Sequence, residues 1–111
     1  YPQKVKTLEG SYEISYTSEP NPIPFLEFFG MDIGIVDAAG NVIPEDVNLI
    51  IDADMPEHRH GMNHKPEVSK LGPGKFKVEG MRFHMLGYWE ITIILKKGDQ
   101  TETAVFSYYV D

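Results

Sequence analysis

The histidines and methionines of this chain concentrate in one stretch of sequence. All four histidines and four of the five methionines lie between residues 55 and 85. Imidazole nitrogen and thioether sulfur together are typical copper ligands, because Met prefers soft Cu(I) and His binds both Cu(I) and Cu(II). Zinc usually recruits Cys or carboxylate alongside His, and calcium or magnesium requires oxygen ligands. The mixture therefore favours copper, with zinc as an alternative.

The spacing of these residues indicates which of them can bind the same metal ion. His58 and His60 are one residue apart, so they point the same way if the chain is extended there. Gly61 allows the backbone to fold so that Met62 and His64 approach the same point. With a methionine from the strand that follows, the predicted metal ligands are His58, His60, Met62, His64 and Met85.

Alternation along the predicted strand distinguishes Met85 from Met81 and His84 as a candidate ligand. Met81 and Met85 share the parity of Phe83, which favours core packing for both, but Met85 ends the strand and is the better ligand. His84 has the opposite parity, so we expect it to face solvent or to lie at one end of the domain. Histidines in a polar loop are often merely solvated, and this alternative stays open for the cluster.

The net charge and the absence of several motifs argue against some classes of function. The chain has 10 Lys and Arg against 17 Asp and Glu, for a net charge of −7, whereas nucleic-acid binders cluster basic residues against phosphates. The absence of Cys excludes a thiolate metal site and a disulfide framework. Neither G-x-S-x-G nor H-E-x-x-H occurs, and no run of about 18 apolar residues occurs. We therefore expect no enzyme, no nucleic-acid partner and no transmembrane segment in this chain.

Two-residue periodicity predicts the elements that hold these ligands. Apolar residues alternate with polar ones in several short stretches, and no stretch has a sustained helical period. The length of 111 residues fits one domain with one core. We expect a single all-β domain over residues 1–111, an antiparallel sandwich of about seven strands. The alternating sets begin at Tyr12, Phe29, Val47, Phe76, Trp89 and Ala104.

Two irregular segments interrupt the strand pattern. Residues 56–74 have no strand pattern and are predicted to form a long His- and Met-rich loop, of the kind that is usually functional. Within it, residues 66–71 are predicted to form one helical turn that Gly72 ends. Farther on, the apolar parity slips by one residue, which predicts a β-bulge at Glu79 and Gly80.

Two short motifs resemble those of a known family. Met55-Pro56, followed by His60-Gly61-Met62, and the later Met85-Leu86-Gly87-Tyr88-Trp89 resemble the YtkA-like domains and, more distantly, the FixH-like proteins. The similarity covers about residues 23–110. It implies an immunoglobulin-like sandwich that is periplasmic or extracellular, or membrane-tethered in a longer protein. It also implies an association with copper-handling and oxidase-assembly proteins. The chain departs from the family pattern at His58 and His64, which enriches the site in imidazole.

These features predict an extracytoplasmic copper-binding domain that acts as a carrier, a buffer or an assembly accessory, in the manner of a chaperone. The alternative is a metal-free interaction module that docks on a membrane or a respiratory assembly partner. That module would use the Tyr-rich final strand or the acidic first half, since residues 1–55 contain 10 acids and 2 bases.

Overall fold

The computed structural model describes residues 3–62 and 64–111, with His60 described through its backbone. These residues form nine strands and no helix, so none of them belongs to a helix that could cross a membrane. The all-β prediction is confirmed. The strands are β1 (Lys4–Lys6), β2 (Tyr12–Glu19), β3 (Phe29–Asp37), β4 (Asn48–Met55), β5 (His60–Gly61), β6 (Glu67–Gly72), β7 (Lys75–Met81), β8 (Gly87–Lys97) and β9 (Gln100–Val110).

The strands form two antiparallel sheets. One has the order β1-β2-β3-β7-β6 and the other the order β5-β4-β8-β9. The chain crosses between the sheets after β3, after β5 and after β7, so from β2 onward connections within a sheet alternate with crossovers. The predicted β-sandwich is confirmed. Its described part contains more than the expected seven strands, because periodicity does not reveal β1 and β5, which are short, or β6, which has no buried residue.

The inner faces of both sheets form one apolar core. On β3 and β8 every second side chain is buried, as the two-residue period predicts. Burying one such side chain fully contributes about 1.5–3 kcal/mol to folding. The largest fully buried side chains are Trp89, Phe83, Phe106, Ile14, Met31, Met55, Met81, Ile91, Ile93 and Leu95.

The predicted bulge in β7 is present and redirects the chain toward the core. Met31 pairs with Val78 and Phe29 pairs with Met81, so β7 has one residue more than β3 between these pairs. Gly80 adopts a φ of +83°, which a residue with a side chain rarely tolerates. The extra residue reverses the parity, so that Met81 and Phe83 are both fully buried.

The predicted long loop and helical turn are wrong over residues 67–72, which form strand β6. The backbone of β6 pairs with β7 from Glu67–Glu79 to Gly72–Lys75, and these hydrogen bonds would be lost in a helical turn. The turn between the strands requires Gly74, which has a φ of +71° and lies where a Cβ would collide with Ile35 O. Sequence periodicity missed β6 because residues 67–71 are all exposed, leaving no apolar alternation.

Candidate metal site

The His-rich segment, residues 56–66, leaves the end of β4 through a tight turn. His58 N–H donates a hydrogen bond to Met55 O at 3.1 Å, which closes the turn. The chain then returns along β4, where the backbone of His60 pairs with Met55. Arg59 turns the chain with a φ of +54°. The His58 side chain is exposed on this turn, while the side chain of His60 lies outside the described part of the structure.

Met55 connects this segment with the second group of candidate ligands. Its side chain is fully buried. Its terminal Cε lies 2.9 Å from the position that a Cβ would occupy on Gly87, the first residue of β8. The β7–β8 connection, residues 82–86, ends at this glycine. The two sequence motifs therefore meet at one end of the sandwich, on either side of Met55.

The β7–β8 connection is fixed by aromatic packing. Phe83 is buried and stacks on Trp89, with ring centroids 4.4 Å apart and planes 9° from parallel. Trp89 Nε1–H donates to Met85 O at 2.9 Å, which satisfies the only polar group of the indole. The Met85 side chain is half-buried against the core. Trp89 is thus a core residue, and it also holds the backbone of a predicted ligand.

His84 is the residue that sequence reasoning underestimated. It lies at the sandwich end, where one of the two sequence-based expectations put it. Its Nδ1 atom is buried, and no hydrogen-bond partner for it exists among the described residues. Its ring packs edge-on against Trp89, at a centroid distance of 5.8 Å. A buried nitrogen without a partner suits a metal ligand, because coordination would compensate its lost hydration. The sequence feature that indicates His84 as a candidate ligand is its position directly before Met85.

Met62 and His64 line a common cleft on the side of the sandwich. Met62 N–H donates to Ala53 O at 3.3 Å, which extends the pairing of β5 with β4. The cleft has a volume of about 440 Å³ and is also lined by Asp52. The His64 ring lies 4.8 Å from that of Phe28, and its Nε2 lies 3.3 Å from the Cβ position of Gly80. Two of the five predicted ligands, Met62 and His64, therefore line the same cleft.

The other predicted ligands lie on different elements. His58 lies on the exposed turn, and Met85 lies on the β7–β8 connection. Within the described ranges, no three His, Asp or Glu side chains are grouped in a way that could hold a metal ion. A complete ligand set built from these residues must therefore include thioether sulfur or the side chain of His60. The five-residue ligand set stays a prediction.

Carboxylates on the outer face of β4 and β8 add negative charge beside the His-rich segment. Asp54 pairs with Glu90 of β8 on one side and with Gly61 of β5 on the other. Partial burial raises the pKa of Asp54, and the charges of Glu90 and Asp52 raise it further. Glu90 accepts a hydrogen bond from Tyr88 O–H at 2.9 Å. These carboxylates attract cations to the edge of the sheet where β5 pairs with β4.

Comparison with known proteins agrees with the motifs described above. The YtkA-like family model matches residues 11–94, which include β2 to β7, most of β8 and both segments with candidate ligands. No curated protein and no solved structure matches the chain. The match starts earlier than the motif resemblance predicted and ends before β9. Because it covers more than half of the 111 residues, the chain belongs to the YtkA-like family.

Proposed function

We propose that this protein is an extracytoplasmic copper-binding domain that carries or buffers copper, or delivers it as an assembly accessory. The observation that carries the proposal is the position of Met55. Its backbone pairs with His60, and its side chain lies against Gly87, two residues beyond Met85. Imidazole and thioether donors from two distant parts of the sequence therefore come from adjoining segments. The extracytoplasmic location rests on the motif resemblance.

The donor chemistry supports copper over harder cations. The thioethers of Met62 and Met85 favour Cu(I), while the imidazoles of His58, His60 and His64 bind either oxidation state. Methionine binds without losing a proton, and histidine binds as the neutral imidazole. His84 adds a further nitrogen at the same end of the sandwich, and its buried Nδ1 has no partner in the described part of the chain.

The different anchoring of the ligands supports a carrier over a permanent cofactor site. His58 is exposed on a turn, whereas the backbone of Met85 is held by Trp89. A partner can displace an exposed ligand first while the anchored ligand still holds the metal. Stepwise displacement lets a carrier bind copper tightly and still release it. A copper-handling or oxidase-assembly protein is the partner that fits this role, and no catalytic step is part of the proposal.

Native mass spectrometry with added copper tests the proposal. The untagged protein is titrated with Cu(I) under ascorbate and with Cu(II), and we expect one bound ion at micromolar metal. The double variant His58→Ala with His60→Ala should lose most of this binding. Asp99→Ala in the β8–β9 turn, at the other end of the sandwich, is the matched control and should bind as the parent does. Absence of stoichiometric copper, or unchanged binding by the double variant, would disprove the proposal.

Two further measurements separate the alternatives. A metal that binds the folded state alone raises the thermal midpoint, so equal midpoints for apo and copper-treated protein would favour a metal-free interaction module. Competition among copper, zinc and nickel at equal concentrations identifies the metal. We expect copper to win, because zinc and nickel bind thioether sulfur weakly.

A further inference from the structure

A group of exposed apolar side chains lies on the connection between β2 and β3. Residues 20–28 form this connection, and three of its large apolar side chains face solvent. We call Phe25, Leu26 and Phe28 the apolar ridge; their exposed fractions are 39%, 48% and 57%. Single exposed apolar residues are common on protein surfaces, but neighbouring ones usually mark an interaction site.

The backbone of the ridge is fixed in an unfavourable conformation. Leu26 has a φ of +65°, in the left-handed region that bulky residues rarely adopt. Its N–H donates to Phe83 O at 3.0 Å, and its carbonyl accepts a hydrogen bond from Arg82 Nε at 3.3 Å. These bonds hold the strained residue while its side chain stays half exposed. Strain of this kind concentrates at functional sites, because folding alone does not favour it.

Acidic side chains flank the ridge in a surface cleft. Phe28 lines a cleft of about 350 Å³ together with Glu19 and Glu79. Neither of these carboxylates forms an ion pair with another described residue. Asp32 also lines the cleft, and its charge is matched by Lys77 with an N–O distance of 3.6 Å. The cleft therefore combines an aromatic wall with three carboxylates and one ammonium group, that of Lys77, so the charge of its lining is negative.

The aromatic wall already contacts one cationic group. The guanidinium carbon of Arg82 lies 5.5 Å from the centre of the Phe28 ring. This distance is within the range of a cation–π interaction. Other cationic side chains can therefore use the same wall, with Glu19 and Glu79 as ion-pair partners.

We propose that the apolar ridge and its acidic cleft form a docking surface for a protein segment in which apolar side chains alternate with Lys or Arg. The apolar residues of that segment cover Leu26 and Phe28, and its cations enter the cleft between Glu19 and Glu79. Charge complementarity favours this occupant over an anionic membrane, which the carboxylates repel. The surface adjoins His64 through Phe28, but docking does not require a bound metal.

An NMR titration of the full chain tests the docking surface. The probe is a short peptide that alternates Lys and Leu, added to the isotope-labelled apo protein. We expect the largest amide shifts at residues 25–28 and 79–82. Phe28→Ser should weaken the peptide's affinity by about tenfold. Leu26→Asn, a residue type that tolerates left-handed backbone, should weaken it in the same direction without disturbing the fold.

Matched controls distinguish this surface from general attraction to an acidic protein. Val42→Ser changes another exposed apolar side chain, outside the ridge, and should leave the affinity unchanged. A peptide alternating Glu and Leu should not bind. Equal binding of the two peptides, shifts centred elsewhere, or full affinity in both ridge variants would overturn the proposal. Binding to phosphatidylcholine vesicles without peptide binding, or self-association through the ridge, would also overturn it.

Discussion

Residues 82–86 and residues 56–66 both carry candidate ligands and both adjoin Met55 at the end of β4, but they are anchored differently. The first segment lies on the aromatic core: Phe83 stacks on Trp89, and the indole holds the carbonyl of Met85. The second begins with an exposed turn, in which His58 N–H bonds to Met55 O. One segment therefore depends on tertiary packing, and the other begins with a local backbone turn.

This difference suits two requirements of metal transfer. Donors on a rigid element cost little entropy when they bind, which favours affinity. Donors on an exposed turn can leave the metal without disturbing the core, which favours release. Changes in the two segments should therefore have separable effects on stability and on copper binding.

The largest effect is expected from truncation of the anchored segment. Phe83→Ala removes a fully buried ring that contacts both Phe29 and Trp89. Substitutions of this kind cost about 3–5 kcal/mol of unfolding free energy. Urea denaturation of the apo protein measures the loss. His58→Ala on the exposed turn is the control, and it should change stability by less than about 0.5 kcal/mol. Similar losses in the two variants would contradict the difference in anchoring.

A smaller effect is expected where the two segments meet. Gly87→Ala places a methyl group 2.9 Å from Met55 Cε, at a backbone φ of +124° that favours glycine. We expect a loss of about 1–3 kcal/mol in unfolding free energy and weaker copper binding, because Met55 must move.

Gly98→Ala provides the matched control for this variant. Gly98 also has a positive φ, of +60°, but its Cβ position has no atom within 4 Å. The variant should lose about 1 kcal/mol and keep the copper affinity of the parent. Equal copper affinity in both variants would show that contact between Met55 and Gly87 does not matter for the site.

The smallest effect is expected from the acidic pair beside β5. Native Asp54 has a raised pKa, so the folded state binds more protons than the unfolded state above the ordinary pKa of 3.8. Stability therefore falls as pH rises through the native pKa of Asp54. Asp54→Asn removes a like-charge pair with Glu90 and should add about 0.2–1 kcal/mol at pH 7. Thermal unfolding at several pH values checks this, and a gain that persists below pH 3.8 would contradict the electrostatic cause.

Periodicity predicted the strands that have one buried face. In β3, β4 and β8 every second residue enters the core, so alternation in the sequence reflects a physical constraint. The bulge at Gly80 was predictable for the same reason, because an extra residue reverses which residues are buried. β6 has no buried face, and the Gly72-Pro73-Gly74 turn was the one local indication of its hairpin with β7.

The candidate site was only partly predictable from the sequence. The chemical types of its residues indicated a soft metal, but the closeness of the two segments depends on Met55, which pairs with His60 of one and touches Gly87 at the end of the other. Neither contact can be predicted from a pattern in the sequence. The burial of His84 Nδ1 depends on the packing of Trp89 beside it. Alternation in the sequence predicted only that this histidine faces solvent or lies at the sandwich end.

The tryptophan that anchors the β7–β8 connection also gives the protein an optical property. It is the only tryptophan in the chain, and its indole touches the ring of His84 and bonds to the backbone of Met85. Indole emission depends on the polarity and the quenchers around the ring. Emission excited at wavelengths that tyrosine does not absorb therefore arises from a single buried fluorophore at this end of the domain, and events there can be followed without an attached dye.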